Sequence, residues 1–273
     1  MLAVQIGMPA AIESREFHST LEAMRRLGVE GLEINVTEPE RTDPARLENT
    51  LKTHGLAMTA YATGADAKGH GLSLASADAK VRRQSVERCG RYLQFAAELR
   101  ASIIIGYLKG RAQEASGSSA EYLRESMAEI GELARKWKTP VQLEATNRYE
   151  SAAAYSLEET WNAIGRLDNP LLSILPDTFH MNIEETSILG SLARYAGKYG
   201  NVHLSDNNRF FPGLGRLDFK AILTFLHSTG YRGDYAIEGN TKHDLLRDLE
   251  ISLSYLNAID QTMLGKQRQA RER

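Results

Sequence analysis

Eight short apolar runs, each followed by a longer segment that usually has helical periodicity, dominate this sequence of 273 residues. This alternation is typical of βα units, in which helices connect the parallel strands of one sheet. The predicted strands span residues 3–7, 31–35, 57–62, 102–106, 141–144, 172–176, 201–205 and 235–238. The clearest predicted helices span residues 19–27, 78–99, 120–138, 157–167 and 219–228.

No segment rich in Pro, Gly and Ser divides these units into separate domains. The length exceeds that of an average domain but suits one α/β barrel. We therefore predict an α/β fold, a single (β/α)8 barrel over residues 1–262. The remaining residues, 263–273, are polar and mostly basic, and we predict a disordered tail there.

Composition leaves small molecules as the default partners of this chain. Hydrophobic residues make up 42% of the chain and charged residues 25%, which suits a globular protein with a large core. The formal charge of −2 gives no electrostatic reason to expect nucleic acid or an anionic membrane as a partner. The N-terminus does not resemble a secretory signal, no segment approaches the length of a membrane span, and Cys89 is the single cysteine. These features predict a cytoplasmic protein.

Ionisable residues stand where four consecutive predicted strands end. Glu144, Asp177, His203 and Glu238 occupy these places on strands five to eight. The carboxyl ends of the strands form the active face of such a barrel. Neighbouring strands lie about 4.8 Å apart, so the four side chains can converge on one point.

Three carboxylates and an imidazole in one barrel mouth would repel each other unless protons or a cation neutralised them. A divalent metal ion is the simplest solution. Oxygen-rich ligation with one nitrogen favours Mn²⁺, Mg²⁺ or Co²⁺, and it leaves Zn²⁺ open. In the alternative interpretation each residue is hydrogen-bonded separately at a loop entrance, which is a weaker explanation for four successive strands.

Four stretches of the sequence resemble one family as a set. They are LEATNRYE (143–150), PDTFHMNIEE (176–185), VHLSDNNRFFPGLGRLDF (202–219) and AIEG (236–239). Together they resemble the xylose isomerase-like TIM barrel family of sugar isomerases and epimerases, and most of all its ketose 3-epimerases and keto-sugar-acid epimerases. The segments GLSLASADAKVRRQSVERC and IIIGYLKGR are similar to the same branch. One departure is LEATNR where such proteins usually read LEPLNR, which changes the pocket beside the first ligand.

The resemblance implies a set of roles. Four residues would hold one divalent metal ion, Mn²⁺ by preference: Glu144, Asp177, His203 and Glu238. Three would contact the substrate: Glu150, His180 and Arg209. The implied activity is a metal-dependent epimerisation of a ketose or keto-sugar acid, by proton abstraction next to the carbonyl through a cis-enediolate. Glu144 and Glu238 would be the catalytic pair. The family also implies a homo-oligomer, a dimer or a tetramer.

The residue chemistry agrees with this activity. A hydrogen beside a ketone is too weak an acid for a free carboxylate unless the enediolate is stabilised as it forms, which a metal ion can do. Glu144 and Glu238 would then flank the reacting carbon. Return of the proton to the adjacent carbon would instead give an aldose, so an aldose–ketose isomerase of the hydroxypyruvate or ribulose type stays open.

Two further alternatives are weaker. An abasic-site endonuclease of this superfamily needs extra histidines after strands three and four, and the chain has AYATGA and GYLKG there. A non-catalytic sugar-binding barrel would be expected to lose a metal ligand or one of the paired glutamates. This chain keeps all four predicted ligands and both glutamates.

The neighbouring sequence also predicts the roles of several other residues. Glu184 and Glu185 are expected to begin a helix, a structural role. Gly213 and Gly215 are expected in a tight turn and not in a phosphate-binding loop, because no P-loop Lys-Ser pair follows. Residues 109 and 111, both basic, follow strand four; if they faced the pocket they would favour a substrate with a carboxylate.

Overall fold

The computed structural model describes the backbone of residues 1–271 and the side chains of residues 1–259. The strands are β1 (Leu2–Gly7), β2 (Gly31–Asn35), β3 (Ala57–Ala62), β4 (Ser102–Ile105), β5 (Val141–Glu144), β6 (Leu172–Leu175), β7 (Asn201–Leu204) and β8 (Asp234–Ile237). The α-helices are α1 (Arg15–Arg26), α2 (Pro44–Thr53), α3 (Gly64–His70), α4 (Ala79–Leu99), α5 (Ser119–Trp137), α6 (Leu157–Ile164), α7 (Thr178–Glu184), α8 (Ile188–Arg194), α9 (Phe219–Ser228) and α10 (Leu245–Arg271). The predicted disordered tail falls on residues whose side chains lie outside this description, and it stays a prediction.

All eight strands are parallel and form one barrel, in the order β6-β5-β4-β3-β2-β1-β8-β7. The predicted (β/α)8 barrel is confirmed, and each predicted strand lies within one or two residues of the observed one. The barrel closes between β6 and β7 without a regular ladder. There the His203 N–H donates to the Pro176 carbonyl over 2.9 Å, and the Ile174 N–H donates to the Lys198 carbonyl over 3.0 Å.

Local sequence explains where the helices begin and which face they bury. The Ser14 side chain accepts a hydrogen bond from the Phe17 N–H and caps α1, which then buries Phe17, Leu21 and Met24 at helical spacing. Asp78 caps the long helix α4 in the same way, through the Lys80 N–H. These apolar faces pack against the outside of the strands, where most of the core lies.

The inside of the barrel is more polar than its outside. Along β2, Leu32 and Ile34 belong to the main core outside the strands, so Glu33 between them faces the interior. Ala60, Ile104 and Leu175 form a separate small apolar cluster. None of the helices in the described part of the chain is long and apolar enough to cross a membrane.

Candidate active site

The structure brings the four predicted metal ligands together at the carboxyl ends of β5 to β8. Their ligand atoms all lie within 4.8 Å of one another. Glu144 ends β5, Asp177 follows β6, His203 lies within β7 and Glu238 directly follows β8. Strand ends are rigid, so the cluster is positioned by the barrel and not by a long loop.

The imidazole of His203 lies at the centre of this cluster. Its Nδ1 atom is 2.5 Å from Oε2 of Glu238, 3.4 Å from Oε1 of Glu144 and 3.8 Å from Oδ2 of Asp177. Glu144 Oε1, both ring nitrogens of His203 and Glu238 Oε2 are buried, and none has a hydrogen-bond partner among the described residues. Buried polar atoms normally have partners. A divalent cation would satisfy Glu144 Oε1, His203 Nδ1 and Glu238 Oε2 at once, so the residues present fit a metal ion.

The pKa values show how strongly these groups interact. Burial, and then the charge of Glu238, raise the pKa of Glu144. Burial opposes the charging of His203, but Glu33 and Glu238 raise the pKa of the imidazole well above its usual value. The pKa of Glu238 is lowered: burial acts against this, and the charges of Arg209 and His203 outweigh it. The cluster therefore attracts positive charge.

Arg209 brings a fixed positive charge into the same place. Its Nη1 donates to Oδ2 of Asp177 over 2.6 Å and its Nη2 donates to Oε1 of Glu238 over 2.7 Å. The backbone of Arg209 has a φ of 64°, which is uncommon for a residue other than glycine. Arg209 is thus part of the site and not a surface arginine.

The two remaining predicted substrate contacts, His180 and Glu150, are linked through Asn147. Oδ1 of Asp177 accepts from the N–H groups of Phe179 and His180 and so caps α7. Nδ1 of His180 is 3.2 Å from the Asn147 backbone N and 2.7 Å from its Nδ2. The same Nδ2 donates to Oε1 of Glu150 over 3.0 Å. His180 is buried whereas Glu150 is exposed at the rim.

The prediction for Glu184 and Glu185 was wrong about position. Helix α7 begins at Thr178, directly after Asp177, so Glu184 is its last residue and Glu185 follows it. Glu184 forms an ion pair with Arg148, whose Nη2 lies 2.5 Å from Oε2. Glu185 accepts from the Leu157 N–H over 2.7 Å. Both are structural, through contacts that connect α7 to neighbouring segments and not through a helix start.

Lys109 and Arg111 offer the pocket no free charge. Arg111 is exposed and forms an ion pair with Glu114. Lys109 is fully buried, and its Nζ donates to the backbone carbonyls of Glu144 and Ala154 over 2.6 and 2.8 Å. These two residues therefore do not favour a substrate with a carboxylate.

The buried ammonium of Lys109 predicts a pH-dependent stability. Burial lowers its pKa to about 7, against the opposing charge of Glu144. The unfolded lysine keeps a pKa of about 10.4, so between roughly pH 7 and pH 10 the unfolded state binds more protons and the free energy of unfolding rises with pH. In Lys109→Met this contribution is absent, and we expect a smaller rise between pH 7 and pH 9 in urea unfolding. Lys80→Met, at an exposed lysine of α4, should follow the wild type. Equal pH dependence in all three proteins would contradict the prediction.

The loop that carries Arg209 depends on Asp206, which sequence reasoning missed. The buried carboxylate of Asp206 accepts from the N–H groups of Gly213 and Gly215 over 3.0 and 2.9 Å, and also from that of Leu217. The predicted tight turn at the two glycines is confirmed, and Gly213 has a φ of 87°. The sequence signal for this role is an aspartate that stands seven residues before a Gly-x-Gly motif.

Glu33 is the second residue that sequence reasoning missed. Its Oε2 lies 2.9 Å from Nε2 of His203, whereas the carboxylates of the predicted metal site lie at Nδ1. The signal is one acidic residue in the otherwise apolar strand β2, GLEIN.

Comparison with known proteins identifies the family of the chain. A sequence model described as "Xylose isomerase-like TIM barrel" matches residues 21–259. The chain belongs to this family. Within it, the chain is similar to the L-ribulose 3-epimerase of Mesorhizobium japonicum, at 30% identity over 84% of this chain and 77% of that protein. It is also similar to the 3-dehydro-D-guloside 4-epimerase of Escherichia coli, at 33% identity over 43% of this chain and 45% of that protein.

A solved structure of an L-ribulose 3-epimerase has the same fold, with a TM-score of 0.84 and 24% identity over 99% of this chain and 98% of that one. The chain is accordingly an enzyme of the isomerase class, as its motifs predicted.

Proposed function

We propose that this member of the xylose isomerase-like family is a metal-dependent sugar epimerase that inverts a carbon next to the carbonyl of a ketose or keto-sugar acid. The observation that carries the proposal is the cluster of Glu144, Asp177, His203 and Glu238 at one end of the barrel. The named relatives, a 3-epimerase and a 4-epimerase, support the sugar as substrate class.

These four residues would hold one divalent ion, Mn²⁺ by preference, in a set of carboxylate oxygens and one imidazole nitrogen. When bound, the ion would polarise the substrate carbonyl and stabilise the negative charge of a cis-enediolate.

Glu144 and Glu238 would move the proton. They come from β5 and β8, on either side of the ligand set, so one can remove a proton from one face of the carbon while the other delivers a proton to the opposite face. Their environments differ, because burial and Glu238 raise the pKa of Glu144 whereas Arg209 and His203, against burial, lower that of Glu238. Such a difference suits an acid and a base that work as a pair.

Arg209, His180 and Glu150 would hold the substrate oxygens. Nδ1 of His180 faces the Asn147 backbone N–H, which makes Nδ1 the acceptor and leaves the ring proton on Nε2. His180 can then donate a hydrogen bond to a substrate hydroxyl. Arg209 supplies a permanent cation beside Asp177 and Glu238. We retain a homo-oligomeric state and a cytoplasmic location as predictions.

Proton exchange with solvent tests this function directly. We expect Mn²⁺-loaded enzyme in D₂O to place deuterium on a carbon that flanks the ketone of at least one member of a panel of ketoses and keto-sugar acids, with the epimer as product in NMR spectra. EDTA should reduce the rate by at least about 100-fold, because the enediolate would lose its counter-charge, and added Mn²⁺ should restore it. An aldose product would indicate the aldose–ketose isomerase instead. Metal-loaded protein that exchanges no proton with any member of the panel would contradict the proposal.

A further inference from the structure

We propose that Glu33 is a positioning residue for the metal centre: its carboxylate lies against Nε2 of His203, favours the proton on that nitrogen and so presents Nδ1 to the metal ion. The inference rests on the proposed function, because it concerns the same metal site. Glu33 would not touch the substrate or the ion.

Glu33 lies deep inside the barrel. Its side chain is fully buried, and its place in β2, between two residues of the outer core, directs it to the interior. His203 reaches the same interior from β7 and is also fully buried. The 2.9 Å separation of Oε2 and Nε2 therefore joins two strands that are not neighbours in the sheet.

The other partners of the Glu33 carboxylate are neutral amides. Nδ2 of Asn201 donates to Oε1 over 2.7 Å, and Nε2 of Gln5 donates to Oε2 over 3.3 Å. Among its described contacts, His203 is the one group that can carry a positive charge. A buried carboxylate without positive charge nearby is strongly destabilising, and a metal ion on Nδ1 would give the His203 ring that positive charge.

This pairing decides which ring nitrogen carries the proton. If Nε2 were unprotonated, this electron-rich nitrogen would lie 2.9 Å from a carboxylate oxygen, which is repulsive. The proton therefore belongs on Nε2. Nδ1 then faces Glu238, Glu144 and Asp177 with its lone pair and needs a cation between them. Carboxylate groups that orient a metal-binding histidine in this way raise metal affinity by about 10- to 100-fold.

The ring nitrogens of the wild-type protein give the first test. We would load protein labelled with ¹⁵N at histidine with Zn²⁺, which is diamagnetic, and assign His203 by its loss in His203→Asn. The expected result is a protonated Nε2 and a metal-bound Nδ1. A metal-bound Nε2, or a proton on Nδ1, would overturn the inference. Wild-type protein that binds neither Zn²⁺ nor Mn²⁺ would overturn the proposed metal site as well, which separates the two failures.

Glu33→Gln gives the second test. The variant keeps the size of the side chain but loses the charge, and its amide must now meet donors from Asn201 and Gln5 as well as His203. We expect the Kd for Mn²⁺, measured by competition with a chelator, to rise by about 10- to 100-fold, with a smaller change in kcat at saturating Mn²⁺.

Gln142→Met is the matched control. Gln142 is a polar residue of β5 whose Nε2 donates to Ser102 Oγ over 2.6 Å, and none of its described hydrogen bonds goes to Glu33 or His203. We expect its Kd to stay within about threefold of the wild type. An unchanged Kd in Glu33→Gln, or an equal rise in Gln142→Met, would show that Glu33 has no specific role.

Discussion

Replacing either Glu144 or Glu238 by glutamine is expected to lower the epimerisation rate by about 10²- to 10⁴-fold, the usual range for the loss of a general acid or base. Each variant should nevertheless still exchange solvent protons with one epimer of the substrate. This follows from the placement of the two carboxylates on β5 and β8, because each would serve one face of the carbon. The glutamine retains an oxygen that can bind the metal ion, so part of the site survives.

The experiment presents each epimer separately to each variant in D₂O, at saturating Mn²⁺ and with metal occupancy measured. The two variants should show complementary patterns: the epimer that one of them exchanges is the one that the other leaves untouched. Glu250→Gln, at an exposed residue of α10, should behave as wild type. Epimerisation within tenfold of the wild type in either variant would contradict the assignment of the pair.

Gly106→Ala is expected to lower kcat/KM by about 100-fold, although the change adds a single methyl group. Gly106 directly follows β4, and a Cβ there would lie 2.2 Å from Oε2 of Glu144 and 3.3 Å from its Cδ. The Glu144 side chain rests against the bare backbone of Gly106 and would have to move. A displacement of about 1 Å at a catalytic group can lower the rate by that factor.

Steady-state kinetics, together with the Kd for Mn²⁺, measure this effect. Gly117→Ala is the matched control, because no heavy atom lies within 4 Å of a Cβ at this position. The control should keep wild-type kinetics, and both variants should unfold at similar temperatures. If Gly106→Ala kept kcat/KM within threefold of the wild type, Glu144 would not depend on this close approach.

The strands and the cluster of side chains at their ends were predictable from the sequence for the same reason. Buried parallel strands read as unbroken apolar runs, so the residue at which a run stops is visible. Glu144, Asp177 and Glu238 stand at such places. The convergence of side chains from successive strands then follows from the spacing of the barrel.

Other parts of the site depend on contacts that a linear pattern does not contain. A lysine after a strand usually faces solvent, but Lys109 is enclosed because two carbonyls from distant segments meet its Nζ. Helix α7 begins earlier than its glutamates suggested, because Asp177 caps the helix as well as facing the other predicted metal ligands. The role of Glu33 could not be recognised from the sequence, because this residue lies within a strand and its partner, His203, is 170 residues further along the chain.

Strands β6 and β7 are the two ends of the described sheet, and no regular ladder of hydrogen bonds pairs them. Asp177 and His203 lie on the two sides of this junction, joined by an isolated bridge. An ion held by both would connect the two ends of the sheet. Because a ligand that binds the folded state stabilises it by mass action, the amount of folded enzyme in a cell would then follow the supply of the ion. Scarcity of metal would thus shorten the lifetime of the protein as well as stop its reaction.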